Sequence, residues 1–341
     1  MILSGNKPEW LPSVAKFGWT GVDLFFVLSG YLISSQLFIK INRKEKIIFR
    51  QFFLRRAFRI LPAFFVTLAI YFWIPFFRER ESLPPAWKFL TFTQNFGLNL
   101  RYYGTFSHAW SLCVEEHFYL FLPLILIAVQ TWKGFSKAYW ILIGFCLFGF
   151  IIRYYSYDQL YLTGSEEPGA AIRWYQYIYY PTYNRLDGLL AGVSIAGIYH
   201  FLPNTWRLIS KYSSLTLLAG LITLWGASIL CSNQMSFNAS VYGYPVVALG
   251  YGLLVISAIS PASYIYRWNS KAIGLIANLS YALYLTHKGI IHITRELLSV
   301  YHINESLLFI ISMVTCLCAA YLLHALVEKP FMNLRDRLLG R

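Results

Sequence analysis

What most restricts the fold of this chain is a succession of apolar runs close to twenty residues long. A helix crosses the hydrocarbon core of a bilayer with about 20 apolar residues. The sequence of 341 residues offers nine such runs, at about 20–39, 57–77, 107–130, 138–152, 183–202, 212–231, 240–260, 272–293 and 305–327. The run at 138–152 is short for a span. Charged residues make up 13% of the chain and apolar types 57%, whereas a soluble domain averages about 25% charged. Too few charges remain to cover a globular surface, and disorder is excluded on the same ground. The expected fold is all-α: a polytopic transmembrane helix bundle of about nine spans, one domain over 1–341 with no soluble domain. No repeat or low-complexity tract divides it.

The formal net charge is +14. In a soluble protein that would suggest nucleic acid; here the distribution carries the information, and no nucleic-acid partner is expected. Lys40, Arg43, Lys44, Lys46, Arg50, Arg55 and Arg56 fall in one loop, followed on the same side by Lys133, Lys137, Arg207, Lys211, Arg267, Lys271, Lys329, Arg335, Arg337 and Arg341, seventeen in all. The opposite side has nine: Lys7, Lys16, Arg78, Arg80, Lys88, Arg101, Arg153, Arg173 and Arg295. The positive-inside rule places the seventeen in the cytoplasm, with the C-terminus. The long Tyr- and Trp-rich connections 78–106 and 153–182 are then outside. Nine spans also put the N-terminus outside, although residues 1–19 show no basic start followed by an apolar stretch, as a signal peptide would.

Cys113, Cys146, Cys231, Cys316 and Cys318 lie in or beside apolar runs, with no zinc-like spacing to a histidine. They read as packing residues. Cys316 and Cys318 are expected on opposite faces of a helix.

Ionisable groups inside a membrane are costly and mark sites by default. Arg56 and Arg59 fall at the cytoplasmic mouth of the second run, as positive-inside anchors or, with Arg55, as a phosphate-binding corner, since guanidinium forks match phosphate oxygens. Glu115 lies about 12 Å down its helix at 1.5 Å per residue, either as a site residue or as a structural partner of Arg185. Its neighbour Glu116 shares its depth or faces away. Asp23, His108, Arg185, Asp187 and His287 come near the outer side. The plainer alternatives are a backbone-bonded His108, a satisfied core His287, and capping or pairing by Asp23 and Asp187. His117, His200, His292, His302 and His324 have no supporting context.

The stretch Gly18-Trp-Thr-Gly-Val-Asp-Leu-Phe-Phe-Val-Leu-Ser-Gly-Tyr-Leu-Ile33 resembles the signature of the acyltransferase 3 family of integral-membrane O-acyltransferases. Further matches follow in the family's order: Phe53–Pro62 with its arginines; His108–Tyr119, with His117 where Gln is common; Arg185-Leu-Asp187 with Gly192; Ser280–His287; and Glu328-Lys-Pro-Phe331. Six such segments occur in order across almost the whole chain.

The resemblance implies ten helices with both ends in the cytoplasm, acyl-CoA (acetyl-CoA above all) as co-substrate and a saccharide or lipid-linked glycan hydroxyl as acceptor. It implies a multi-pass protein of the bacterial inner membrane, surrounded by membrane lipids and without a bound cofactor or metal. Arg56 and Arg59 would hold the coenzyme A phosphates. Glu115, His287 and His108 would serve catalysis, and Asp23, Arg185 and Asp187 would face the acceptor. In relatives a first helix carries an arginine and, about ten residues on, the histidine regarded as catalytic. Residues 1–19 contain no histidine, so the expectation is a chain that starts after that helix and is inactive or poorly folded without it. The rival readings are such a non-catalytic member and a glycan or lipid transporter. Against the transporter, no inverted repeat and no paired broken helices are seen.

Overall fold

The computed structural model describes residues 13–80, 82–131, 138–268, 270–301 and 303–339. Of the basic residues that set the charge asymmetry, Lys7, Lys133, Lys137, Arg341 and the side chain of Lys16 lie outside them, as does His302.

The described elements are helical. They are α1 Gly21–Asn42, α2 Phe49–Trp73, a short α3 Ala86–Leu90, α4 Trp110–Thr131, α5 Ala138–Tyr155, a short α6 Ala170–Trp174, α7 Asp187–Phe201 and α8 Pro203–Lys211. There follow α9 Ser213–Leu230, α10 Tyr244–Ile259, a short α11 Tyr264–Arg267, α12 Lys271–Leu298, α13 Glu305–Leu323 and α14 Lys329–Leu338. Each of the nine apolar runs has become a helix, as all-α packing in lipid requires, because only hydrogen bonds within the segment satisfy its backbone there. Among the described residues, six stretches are long and apolar enough to cross a membrane: Phe17–Asn42, Ser107–Gln130, Ala138–Gly164, Ser213–Leu230, Ala239–Ile259 and Glu305–Leu338. The chain is a multi-pass membrane protein. The other three runs are not among them. Helix α2 carries Arg50, Arg55, Arg56 and Arg59, α12 carries Lys288 and Arg295, and α7 has only 15 residues.

Local signals explain the ends. The Ser270 hydroxyl caps α12 by accepting from Ile273 N at 3.4 Å, and Asn304 caps α13 by accepting from Ser306 N at 2.8 Å. Pro62 and Pro123 sit inside α2 and α4, which membrane helices tolerate because neighbours re-satisfy the freed backbone. Two boundaries differ from the sequence reading. Helix α2 begins at Phe49, so Arg55 and Arg56 are on the helix and not in a loop. Helix α5 continues through a π-helical turn at Ser156–Tyr161, so the connection expected from 153 is helical at its start. The tyrosines there lower the hydropathy without breaking the helix.

Helix α1 packs along α7, and both meet α10, which lies on α9. Glycines bring α1 and α7 together. A methyl on Gly192 would come 2.3 Å from the Val27 carbonyl oxygen, and one on Gly30 would come 2.3 Å from that of Leu189. Small residues at such a crossing let backbones touch, which is how membrane helices gain packing energy. On the other side, α12 packs on α13, and α2 packs on α12 and on the junction of α13 and α14. Aromatic side chains fill the space between: Trp110, Trp174, Tyr179 and Tyr244 in one core, and Phe64, Tyr71 and Phe106 in the other. Cys316 is buried and Cys318 exposed, on opposite faces as the spacing requires.

Candidate active site

Helix α4 supplies the axis of the site. His108, just before its first turn, and Ser111, Glu115 and Tyr119 recur at helical spacing and share one face. At 1.5 Å per residue they form a polar stripe about 16 Å long. All four are buried. What meets the stripe differs at each level.

At one end lies the histidine pair. His108 Nε2 approaches the Leu285 carbonyl oxygen at 3.2 Å, and His287 Nδ1 approaches that of Tyr284 at 2.8 Å. A carbonyl can only accept, so both nitrogens carry hydrogens, and the lone pairs fall on His108 Nδ1 and His287 Nε2. The His108 Nδ1 atom is buried with no partner. The rings meet edge to face, 4.8 Å between centres. The Tyr284 hydroxyl donates to the His108 carbonyl and lies 2.6 Å from the Ser111 hydroxyl. Lys288 Nζ donates to the Ser107 hydroxyl at 3.1 Å.

Glu115 lies one turn further along α4. The Ser29 and Tyr119 hydroxyls, bonded to each other, lie beside it, and its Oε1 has no partner. Arg56 closes this end. Its guanidinium lies over the Tyr119 ring at 5.2 Å and donates to Gln36 Oε1 at 3.3 Å, with Glu115 and Glu116 within electrostatic reach. Arg59 is exposed on α2 and is felt by Glu328, which accepts from His324 Nδ1 at 2.6 Å in a π-helical turn.

Asp23, Arg185 and Asp187 form a separate node. Arg185 Nη2 donates to Asp23 Oδ1 at 2.9 Å, with both side chains almost wholly buried. The guanidinium stands 3.9 Å from the Tyr244 ring centre and 4.9 Å from that of Tyr179, a cation–aromatic arrangement that holds charge where water is absent. Asp187 Oδ2 accepts from Arg153 Nη1 at 2.6 Å, and Arg153 is 1% exposed. The carboxylate partner of Arg185 is therefore Asp23, not Glu115. The sequence reading missed Arg153, which it counted as a loop residue, and also Tyr284 and Lys288. The Phe-Ile-Ile-Arg153 context, an arginine abutting an apolar run, was the available signal.

Of the histidines without context, His117 Nδ1 pairs with the Thr182 hydroxyl at 2.8 Å and stacks on Phe96. A cavity of about 1350 Å³ between α4, α5 and α7, lined by apolar side chains such as Phe118, Leu142 and Val193, holds none of the candidate site residues. Among the described residues no group of three or more His, Cys, Asp or Glu could hold a metal ion.

Comparison with known proteins agrees with the sequence motifs. No solved structure matches this chain. It is 29% identical over 306 residues to the peptidoglycan O-acetyltransferase OatA of Listeria monocytogenes, covering 84% of this chain and 47% of that one. Relatives in Staphylococcus aureus are 25% identical over 96% of this chain and 54% of their own length. An uncharacterized protein of Haemophilus influenzae is 30% identical, over 63% of this chain and 89% of its own. The chain thus spans about half the length of the first two relatives. The family model described as an acyltransferase domain matches residues 3–325, and the chain belongs to that acyltransferase family.

Proposed function

We propose that the protein is a membrane O-acetyltransferase, one membrane acyltransferase domain that moves an acetyl group from acetyl-CoA on the cytoplasmic side to a saccharide or lipid-linked glycan hydroxyl on the other. The observation that carries this reading is the polar stripe of α4, which runs from Arg56 past Glu115 to two histidines with lone pairs. A path of this kind suits a donor and an acceptor that arrive from opposite faces. The OatA relative, named for peptidoglycan, supports a saccharide acceptor.

In this reading Arg56 and Arg59 hold the phosphates of the donor, and the charge asymmetry of the loops puts them, with the C-terminus, in the cytoplasm of a bacterial inner membrane. The acceptor hydroxyl gives its proton to His287 Nε2 as its oxygen bonds to the acetyl carbonyl carbon. The thioester C–S bond then breaks, and the departing thiolate takes up the proton from the imidazolium. A positioned base of this sort contributes about 10²–10⁴ in rate. His108 packs against His287 and fixes the ring, while Glu115 lines the route. Asp23, Arg185 and Asp187 border the acceptor side and tie α1, α5 and α7 together there.

The test is transfer by the purified chain in liposomes, with acetyl-CoA on one face and a saccharide acceptor on the other. Coenzyme A thiol release and acetyl ester on the acceptor are read together, the latter by mass spectrometry. Ester formation in step with thiol release is expected in this reading, with His287 as the base; the rival reading, a chain inactive without an upstream helix, expects neither. A folded protein that yields neither, with any of a panel of hydroxylated saccharides, would sink the reading.

A further inference from the structure

The segments 99–101 and 164–177 enclose a second cavity, of about 530 Å³, of a different chemical kind from the apolar crevice. Its walls include Asn99, Arg101, Glu167, Arg173, Gln176 and Tyr177. The volume falls within the range of about 300–1,000 Å³ usual for small-ligand clefts. In the orientation proposed above it opens on the non-cytoplasmic face.

One wall is fixed. Arg173 Nε donates to the Leu160 carbonyl at 2.6 Å and its Nη2 donates to the Thr163 hydroxyl at 2.9 Å. The guanidinium lies across Gly164, where a methyl would come 2.9 Å from Cζ, and 5.3 Å from the centre of the Tyr177 ring. Its Nη1 has no hydrogen-bond partner among the described residues. Nor have the side chains of Arg101, Glu167 and Gln176, so the cavity is ringed by donors and acceptors that the fold itself does not use. Two guanidinium groups against one carboxylate leave it net positive. Amide and phenol groups beside an aromatic ring suit a sugar, and a free guanidinium edge suits a carboxylate.

Both walls lead to the histidine pair. From Arg101 the chain reaches Ser107 and His108. From Gln176 and Tyr177 it reaches Tyr180, which lies beside Ser107 and whose ring centre is 5.5 Å from that of Trp110. The segments that carry the two walls are joined just beyond the cavity, as Asn95 Nδ2 donates to the Tyr180 carbonyl at 3.2 Å and to the Thr182 hydroxyl at 2.8 Å. We infer that this cavity is a subsite for a carboxylate-bearing saccharide, which seats the acidic sugar of the acceptor while a neighbouring hydroxyl reaches His287. The inference rests on the acceptor reading above.

The test uses the whole purified chain in detergent and two defined probes, cellobiouronic acid and its neutral counterpart cellobiose, titrated by ligand-observed NMR. The acidic disaccharide is expected to bind more tightly, by about tenfold or more for one charge-assisted bond. Arg101→Gln, at an exposed side chain with no internal partner, should erase that difference, and Arg173→Gln should weaken the acid probe further. Equal binding of the two probes, or acid binding unchanged in both variants, overturns the subsite. Acetyl transfer to a saccharide acceptor by the same preparation in liposomes reports the transferase separately. A protein that transfers acetyl but does not tell the probes apart loses the subsite alone. One that selects the acid probe through Arg101 yet never turns over donor keeps the subsite and loses the transferase.

Discussion

The His108 and His287 rings meet edge to face with 4.8 Å between their centres, each held by a backbone carbonyl through one nitrogen and free at the other. The two lone pairs are not equivalent, because His108 Nδ1 is fully buried whereas His287 retains partial exposure. His287→Ala should therefore lower acetyl transfer by about 10²–10⁴-fold with donor affinity intact. His108→Ala should lower it less, by about tenfold. Single-turnover rates in liposomes decide; equal, full rates in both variants would remove the histidine pair from catalysis.

Arg56 is clamped between Gln36 and the Tyr119 ring, while Arg59 is open to water. A charged hydrogen bond contributes about 1.5–3 kcal/mol. Arg56→Ala and Arg59→Ala should each weaken acetyl-CoA binding roughly 10- to 100-fold and leave helicity unchanged. Isothermal titration with the donor checks this, and unaltered affinity in both would reduce the arginines to topology anchors.

The Asp23–Arg185 pair is sealed from water, so its removal is a stability experiment. Leaving one partner of a buried ion pair alone costs about 3–5 kcal/mol. Asp23→Ala should lower the thermal midpoint sharply. The double change Asp23→Leu with Arg185→Met should be milder than either single change, because no orphan charge remains. If the double variant proves worse than the sum of the singles, the pair does more than hold helices.

Gly192 and Gly197 lie on the same helix with opposite expectations. A methyl at Gly192 collides with the α1 backbone, whereas one at Gly197 meets nothing within 4 Å. Gly192→Ala should cost about 1–3 kcal/mol through overpacking; Gly197→Ala should be neutral or stabilising by about 0.5–1 kcal/mol. Thermal melts in one detergent compare them directly.

Orientation is open to a labelling experiment. A single cysteine at position 165 should react with an impermeant maleimide in intact cells, and one at 45 should react only after permeabilisation. The reverse pattern would invert the bundle, and with it the assignment of donor and acceptor faces.

The helical class was legible because run length and backbone satisfaction in lipid leave few choices, and each apolar run did become a helix. The stripe of α4 was also present in the sequence, since His108, Ser111, Glu115 and Tyr119 keep helical spacing. Partners were not legible. Nothing local tells Asp23 that its cation stands 162 positions later, and the same blindness left Glu115 as an alternative partner for Arg185. Arg153 escaped because the apolar run ends at 152, whereas hydrogen bonding carries the helix through tyrosines into a π turn. Lys288 was overlooked beside the more conspicuous His287, although its ammonium reaches Ser107.

The sequence distance between Asp23 and Arg185 also has a consequence for how the protein is made. Chains grow at about 5–20 residues per second, so the 162 intervening positions correspond to roughly 8–32 s of synthesis. Helix α1 enters the bilayer that long before its cation exists. Through that interval its carboxyl needs a temporary host, whether lipid headgroups, a water-filled defect or the wall of the insertion machinery, and the α1–α7 joint closes only after Arg185 has been made. Ribosome-bound intermediates halted before and after residue 185 would therefore hold α1 at different depths.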